Sequence, residues 1–303
     1  SFIPICAESE AVGMVINMQP LLVVDGLKKT YPNFKLNEVS FAVYEDCITG
    51  FIGANGAGKT TTIRSILNLI SCEAGSIKFK GKDTKKAEKT FKDSIGVVFD
   101  EGFFYDELTL TQMKNLIASS YSQWDNGAYT HYLNTFSLKP DQTISSLSRG
   151  MKMKFSLALA LSHHAELLIM DEPTSGLDPL VRKQFIEILK EYMAQGGKAV
   201  FYSTHNTSDL DKAADILVMI DNGKILFEED KDMLLESHRL VKGKGILPAE
   251  TKKLFLKVEQ AKYGFTGVTN QVEQTRSMFP DAVFERVTVE DIMLAHIKEG
   301  EPI

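Results

Sequence analysis

Eight residues constrain this chain more than any others: Gly53-Ala54-Asn55-Gly56-Ala57-Gly58-Lys59-Thr60. They follow the pattern G-x-x-x-x-G-K-[ST], with Thr61 and Thr62 directly behind. Ahead of them, Cys47-Ile48-Thr49-Gly50-Phe51-Ile52 reads as a short apolar strand. Behind them, Ile63, Ile66, Leu67 and Ile70 recur at helical spacing. A glycine-rich turn between strand and helix is the setting of a phosphate loop. The glycines permit backbone angles and approaches that a Cβ would block. Successive N–H groups then face one concavity, and the helix start adds unpaired donors and the positive end of its dipole. Lys59 supplies a mobile cation for terminal phosphates, and the Thr60 hydroxyl suits Mg²⁺.

The rest of the chain fits an α/β protein built around that loop. With 303 residues it has room for one large core or two domains. A net charge of -6 argues against a duplex nucleic-acid partner, which would want a basic face. Cys6, Cys47 and Cys72 are odd in number and lack metal-ligand spacing, so they read as reduced thiols of a cytosolic protein. No stretch approaches the roughly 18 apolar residues of a membrane span. Any membrane work therefore needs spans from another chain. Residues 1–17 lack a basic start and do not read as a signal peptide. Met18 reads as a native start, with 1–17 an extension or remnant; their being an ordered part of the fold stays open.

Residues 21–43 alternate as strands, with Tyr31 just before a turn at Pro32-Asn33. Tyr31 has two open readings, a ring that stacks on a base and a half-buried strand tyrosine. Ser76–Phe79 reads as a strand, the lysine-rich stretch 82–92 as a solvated helix, and Ser94–Phe99 as a buried strand. The acidic loop that follows holds Phe103-Phe104-Tyr105, aromatics that want cover from this chain or from a partner. Residues 109–161 read as three helical segments broken at Pro140-Asp141. Ser148, before the helix from Arg149, is an N-cap and a second potential anion site. Leu167–Met170 is an apolar strand ending in Asp171-Glu172; the first carboxylate suits Mg²⁺ and the second can take a proton from an attacking water. Ala199–Thr204 is another buried strand with His205 at its end, where ligand residues gather in open α/β sheets. A hairpin turns at residues 221–224. Beyond 236 the composition changes. Lys242-Gly243-Lys244-Gly245 is loop-like, Leu254–Val258 and Val283–Val287 resemble strands, and Val289–Ile297 a helix.

Taken in order over residues 21–235, these motifs resemble the ATP-binding-cassette ATPases, the nucleotide-binding subunits of ABC transporters. Gly53–Thr60 matches Walker A, Leu147-Ser148-Arg149-Gly150-Met151 the LSGGQ signature, and Leu167–Glu172 Walker B with its catalytic glutamate. Ser175-Gly176-Leu177-Asp178 matches the D-loop, His205 the switch histidine, and Tyr31 the adenine-stacking aromatic. The resemblance implies a phosphate-loop NTPase over 18–236 with an antiparallel β subdomain, a helical subdomain at about 103–162, and an accessory α/β region over 237–303. It implies ATP held by Tyr31, Asn55, Gly56, Ala57, Gly58, Lys59, Thr60 and Thr61. Ser148, Gly150 and Asp178 are implied to act on the nucleotide of a second copy. Mg²⁺ would be held by Thr60, Asp171 and Asp100, with Glu172, His205 and Lys59 catalytic. A single set of motifs implies a head-to-tail homodimer. The partners are implied to be integral membrane permease subunits, with this chain peripheral at the cytoplasmic face of the cell membrane. The style is closest to the single-cassette subunits of bacterial drug- or peptide-export systems.

Two positions depart from the family pattern. Asp100 stands where glutamine is usual, and Arg149 and Met151 where glycine and glutamine are usual. An ionised carboxylate can ligate a cation but cannot donate a hydrogen bond, so slower or differently coupled hydrolysis is one expectation. The rival reading is a soluble ATPase of the same family acting in translation, repair or regulation. Against it, the chain shows neither tandem cassettes nor a long coiled-coil insert, and it carries Glu172.

Overall fold

The computed structural model describes residues 19–99 and 104–297. The chain opens with β1 (Pro20–Tyr31) and β2 (Phe34–Tyr44), then enters β3 (Ile48–Ile52), the phosphate loop and α1 (Lys59–Ile66). Next come β4 (Ala74–Phe79), β5 (Lys82–Asp83), α2 (Glu88–Ser94) and β6 (Ile95–Phe99). Helices α3 (Leu110–Ala118), α4 (Asn126–Thr135) and α5 (Arg149–Leu161) precede β7 (Leu167–Asp171), α6 (Pro179–Met193) and β8 (Ala199–Thr204). Short α7 (Leu210–Ala213) leads to β9 (Ile216–Asp221), β10 (Lys224–Asp230) and α8 (Lys231–Ser237). The chain ends through β11 (Arg239–Lys244), β12 (Lys257–Ala261), β13 (Gly264–Thr269), α9 (Val272–Met278), β14 (Val283–Glu285) and α10 (Val289–His296).

The central sheet runs β10-β9-β3-β8-β7-β6 and is parallel except for β10 at its edge. Its inner strands are buried along their length, as their unbroken apolar runs require of a sheet covered on both faces. The register aligns Ile52 with Thr204, Ser203 with Asp171, and Asp171 with Phe99. The carboxyl ends of β3, β8, β7 and β6 therefore lie side by side, and the segments leaving them share one edge of the sheet. The β9–β10 turn has Asn222 and Gly223 both at positive φ, the two-residue turn that suits a twisted hairpin.

A second, antiparallel sheet of order β2-β1-β4-β5 packs on one face. Phe41 of β2, Phe51 of β3 and Phe201 of β8 stack with ring centroids 5.1–5.3 Å apart and are fully buried. Each contributes roughly 2 kcal/mol of apolar burial. The helical segment begins with a capping box between Thr109 and Gln112 and continues into α5, whose buried face joins the large core cluster. The third sheet, β12-β13-β11-β14, belongs to the C-terminal region. Helix α10 sinks Val289, Ile292 and Met293 into the same cluster as Leu210 and Leu217, so this region shares a core with the central sheet.

Several local expectations needed correction. Residues 242–244, expected as loop, form the end of an inner strand of the third sheet. Gly243 is used there because the Phe265 ring lies where its Cβ would be. The strand expected at 254–258 begins only at Lys257, because 249–254 forms a 3-10 turn. Lys82 and Asp83 are a β4 partner, and the helix starts at Glu88. Strand β13 and helix α9 were not anticipated. Residues 1–17, Asp100 and Phe103 lie outside the described residues.

Candidate functional site

The phosphate loop leaves β3 and closes directly into α1, with Gly58 as N-cap at a φ of 115°. A side chain there is excluded twice. The backbone is left-handed, and an added Cβ would stand 2.8 Å from Phe34 Cζ and 2.9 Å from Leu36 Cδ2. The hairpin of β1 and β2 is thereby seated against the loop. Tyr31, paired with Phe34 across that hairpin, is exposed with Lys29 Nζ 5.5 Å from its ring centroid. At 39% exposure on the end of β1, Tyr31 fits a half-covered strand tyrosine and leaves one part of its ring open. The loop is pinned from the other side by Gly223, whose N–H donates to the Ala57 carbonyl at 2.9 Å.

Within the loop Lys59 is only 6% exposed. Its ammonium donates to the carbonyls of Gly53 at 2.7 Å and Ala54 at 3.2 Å. Burial pulls the Lys59 pKa down, and the charge of nearby Glu172 opposes that pull. Asn55, Gly56 and Thr60 are exposed around this buried amine, and Thr61 is half-buried.

The two carboxylates at the end of β7 take different surroundings. Asp171 is buried and accepts from Ser203 Oγ at 3.1 Å and from the Thr60 hydroxyl. Burial raises its pKa, while those hydroxyls work the other way. Glu172 adopts a φ of 50°, a conformation that costs a non-glycine residue on the order of 1 kcal/mol or more. That twist turns its side chain to the sheet edge. Oε1 stands 3.6 Å from Lys59 Nζ and accepts the His205 N–H at 3.0 Å. Oε2 stands 2.8 Å from His205 Nδ1 and accepts from Thr204 Oγ1 at 3.3 Å. One carboxylate therefore bridges the loop lysine and the residue after β8. The Thr60–Asp171 pair places two oxygens together beside the loop. Among the described residues no cluster of three or more His, Cys, Asp or Glu forms a closed metal cage.

Sequence comparison fits this geometry. The family profile described as ABC transporter matches residues 36–175. The bacitracin transport ATP-binding protein BcrA of Bacillus licheniformis is 32% identical over 225 residues, 73% of this chain and 74% of its own length. The chain belongs to the ABC transporter family. The lantibiotic transport ATP-binding protein SrtF of Streptococcus pyogenes is 29% identical over 70% of this chain and 92% of its own. A solved structure described as the ATP-binding subunit of an ABC transporter superposes with a TM-score of 0.65. It is 29% identical and covers 71% of this chain and 92% of its own. This chain is thus an ABC ATPase, the nucleotide-binding subunit that powers a transporter.

The structure gathers Lys59, Thr60, Asp171, Glu172 and His205 in one place, with Tyr31 at its border. The signature residues make local contacts instead. Ser148 caps α5 and accepts from Met151 N at 3.3 Å, and a Cβ on Gly150 would face Val181 and Leu177 at 3.7–3.8 Å. Asp178 caps α6, accepting from Leu180 N and Val181 N at 3.0 Å each. None of these hydrogen bonds reaches the phosphate loop of the same chain.

Sequence reasoning missed Thr204 and a buried network behind the site. Thr174 Oγ1 donates to Asp209 Oδ2 at 2.8 Å, Tyr202 OH reaches the same oxygen at 3.1 Å, and Arg182 donates to Asp209 Oδ1 at 2.9 Å. The network ties the segments after Glu172 and after His205 to α6. The available signal was a lone Asp209 four residues past the switch histidine, too little to single it out.

Proposed function

We propose that this chain hydrolyses Mg-ATP as a head-to-tail homodimer and drives export through separate membrane subunits. The observation that carries the catalytic part is the Glu172 carboxylate, set between Lys59 and His205 at the end of β7. When nucleotide enters, Lys59 is positioned to exchange its loop carbonyls for the β- and γ-phosphates. The amides of residues 55–61 cradle the same phosphates, and Tyr31 lies against the base. Thr60 and Asp171 would hold Mg²⁺, which usually keeps waters and phosphate oxygens as its other ligands. The ion would neutralise charge on the phosphates. Glu172 accepts the proton of the attacking water, and His205 steadies the γ-phosphate as negative charge develops.

The dimer reading rests on the family resemblance, with Ser148 and Asp178 engaged as caps of their own helices rather than hydrogen-bonded to the phosphate loop of the same chain. A second copy, turned head to tail, brings them to it. The membrane reading rests on the transport roles in the names of BcrA and SrtF. No helix among the described residues is long and apolar enough to cross a membrane, so the spans are assigned to partner subunits, with this chain at the cytoplasmic face. Of the loop aromatics, Phe104 packs on Phe155 with centroids 5.1 Å apart, whereas Tyr105 is 64% exposed. Tyr105 is therefore the aromatic assigned to the partner.

The test is purification of the tagged chain from detergent-solubilised membranes of its host, with mass spectrometry of what accompanies it. A stoichiometric multi-span protein supports the reading. Recovery of ribosomes or soluble proteins alone would sink it and leave an ATPase of another role.

A further inference from the structure

The geometry points to Arg149 as a positioning residue that locks the signature turn to the D-loop of its own chain, so that both meet a second copy's nucleotide as one unit. The inference rests on the homodimer reading. Arg149 occupies a signature position where glycine is usual, and it opens α5 directly after the cap Ser148. Its side chain turns back over Gly176. A Cβ on Gly176 would collide with Nη1 and stand 3.0 Å from Cζ and 3.5 Å from Nε. Three guanidinium atoms at such distances place the head group across the backbone of Gly176. The φ of 68° at Gly176 already favours glycine, so the residue is required for both conformation and approach.

The contact continues along the chain. Gly150 faces Leu177 and Val181, the D-loop and the first turn of α6. Asp178 caps that same turn, and Arg182 anchors it to Asp209. The start of α5 and the start of α6 are thus joined edge to edge by Arg149 on Gly176 and Gly150 on Leu177. Arg149 is exposed rather than part of a core. Its loss should therefore barely affect folding, while freeing two segments that must reach the neighbouring nucleotide with fixed spacing. A flat guanidinium suits such stacking; a lysine ammonium does not.

The test uses the full chain carrying Glu172→Gln, in which ATP is retained, and reads ATP-driven association by analytical ultracentrifugation alongside binding of a fluorescent ATP analogue to the monomer. Arg149→Ala is expected to leave monomer binding within about twofold and to weaken association about fivefold or more, with Arg149→Lys only partly restoring it. Gly176→Ala should weaken association further, and adding Arg149→Ala should return part of that loss, a non-additivity of about threefold or more. Unchanged association in Arg149→Ala, or an additive pair, overturns the inference. A chain with Glu172→Gln alone that fails to associate with ATP overturns the homodimer reading instead.

Discussion

His205 Nδ1 lies 2.8 Å from Glu172 Oε2, although 33 residues separate them in the chain. The parallel pairing of β7 with β8 creates the contact, and the left-handed backbone at Glu172 aims the carboxylate into it. Lys59 holds the other oxygen's side at 3.6 Å, so neither neighbour can move without the carboxylate responding.

Replacing Glu172 by Gln keeps the shape and removes the proposed proton acceptor. Phosphate release should fall by about a hundredfold or more, the range that general bases supply. Nucleotide affinity should be retained. His205→Ala should slow turnover as well but leave Glu172 able to act, so its loss should be the smaller of the two. Turnover within about twofold of wild type in Glu172→Gln would remove Glu172 from the mechanism.

Asp171 is a buried carboxylate whose pKa is pushed up by desolvation. With Asp171 in its proposed role as a Mg²⁺ ligand, protons and the ion would compete for it, and the competition would favour protons as pH falls. The Mg²⁺ concentration for half-maximal activity should rise as pH is lowered toward the carboxylate range, and should do so sooner than for an unperturbed aspartate. Asp171→Asn should raise it by about tenfold or more and flatten its pH response. A Mg²⁺ dependence unchanged by Asp171→Asn would exclude this carboxylate as a ligand.

Tyr105 is exposed where its neighbour Phe104 is packed, and the two therefore separate docking from folding. Tyr105→Ser should melt within about a degree of wild type, as surface changes do, and should keep its basal ATPase rate. It should lose stimulation by the membrane subunits in reconstituted vesicles. Full stimulation in this variant would move the docking surface elsewhere.

The sequence made legible what is written locally. The phosphate loop, the carboxylate pair after β7 and the histidine after β8 each sit at a strand end, and apolar runs reveal strand ends. What it hid depends on contacts between distant segments. Nothing near Gly223 announces that it pins Ala57, and nothing near Asp209 announces its bonds to Thr174 and Arg182. Residues 242–244 carry a weak strand pattern because glycine and lysine disfavour it, yet they pair in β11. There, the packing of Phe265 over Gly243 outweighs propensity. Asp178 shows a further limit. Its motif suggested the nucleotide, yet within one chain its carboxylate is engaged as a helix cap.

His163, at the end of the signature helix, gives a prediction for stability. It is 1% exposed and stacks on Tyr121 with ring centroids 3.8 Å apart. Burial lowers its pKa to about 4 from 6.5, with the charge of Asp93 opposing the shift. A base with a depressed folded pKa stays neutral in the fold while the unfolded chain gains a proton. Its contribution is fully present above pH 6.5 and is lost as pH falls toward about 4. The loss should reach about 3 kcal/mol, from a shift of some two and a half units. His163→Phe keeps a flat ring against Tyr121 and cannot titrate. Urea unfolding at about pH 8 and about pH 4.5 should show the variant losing less stability on acidification than wild type, by about 2 kcal/mol. Equal acid sensitivity in the two proteins would assign the effect to other groups.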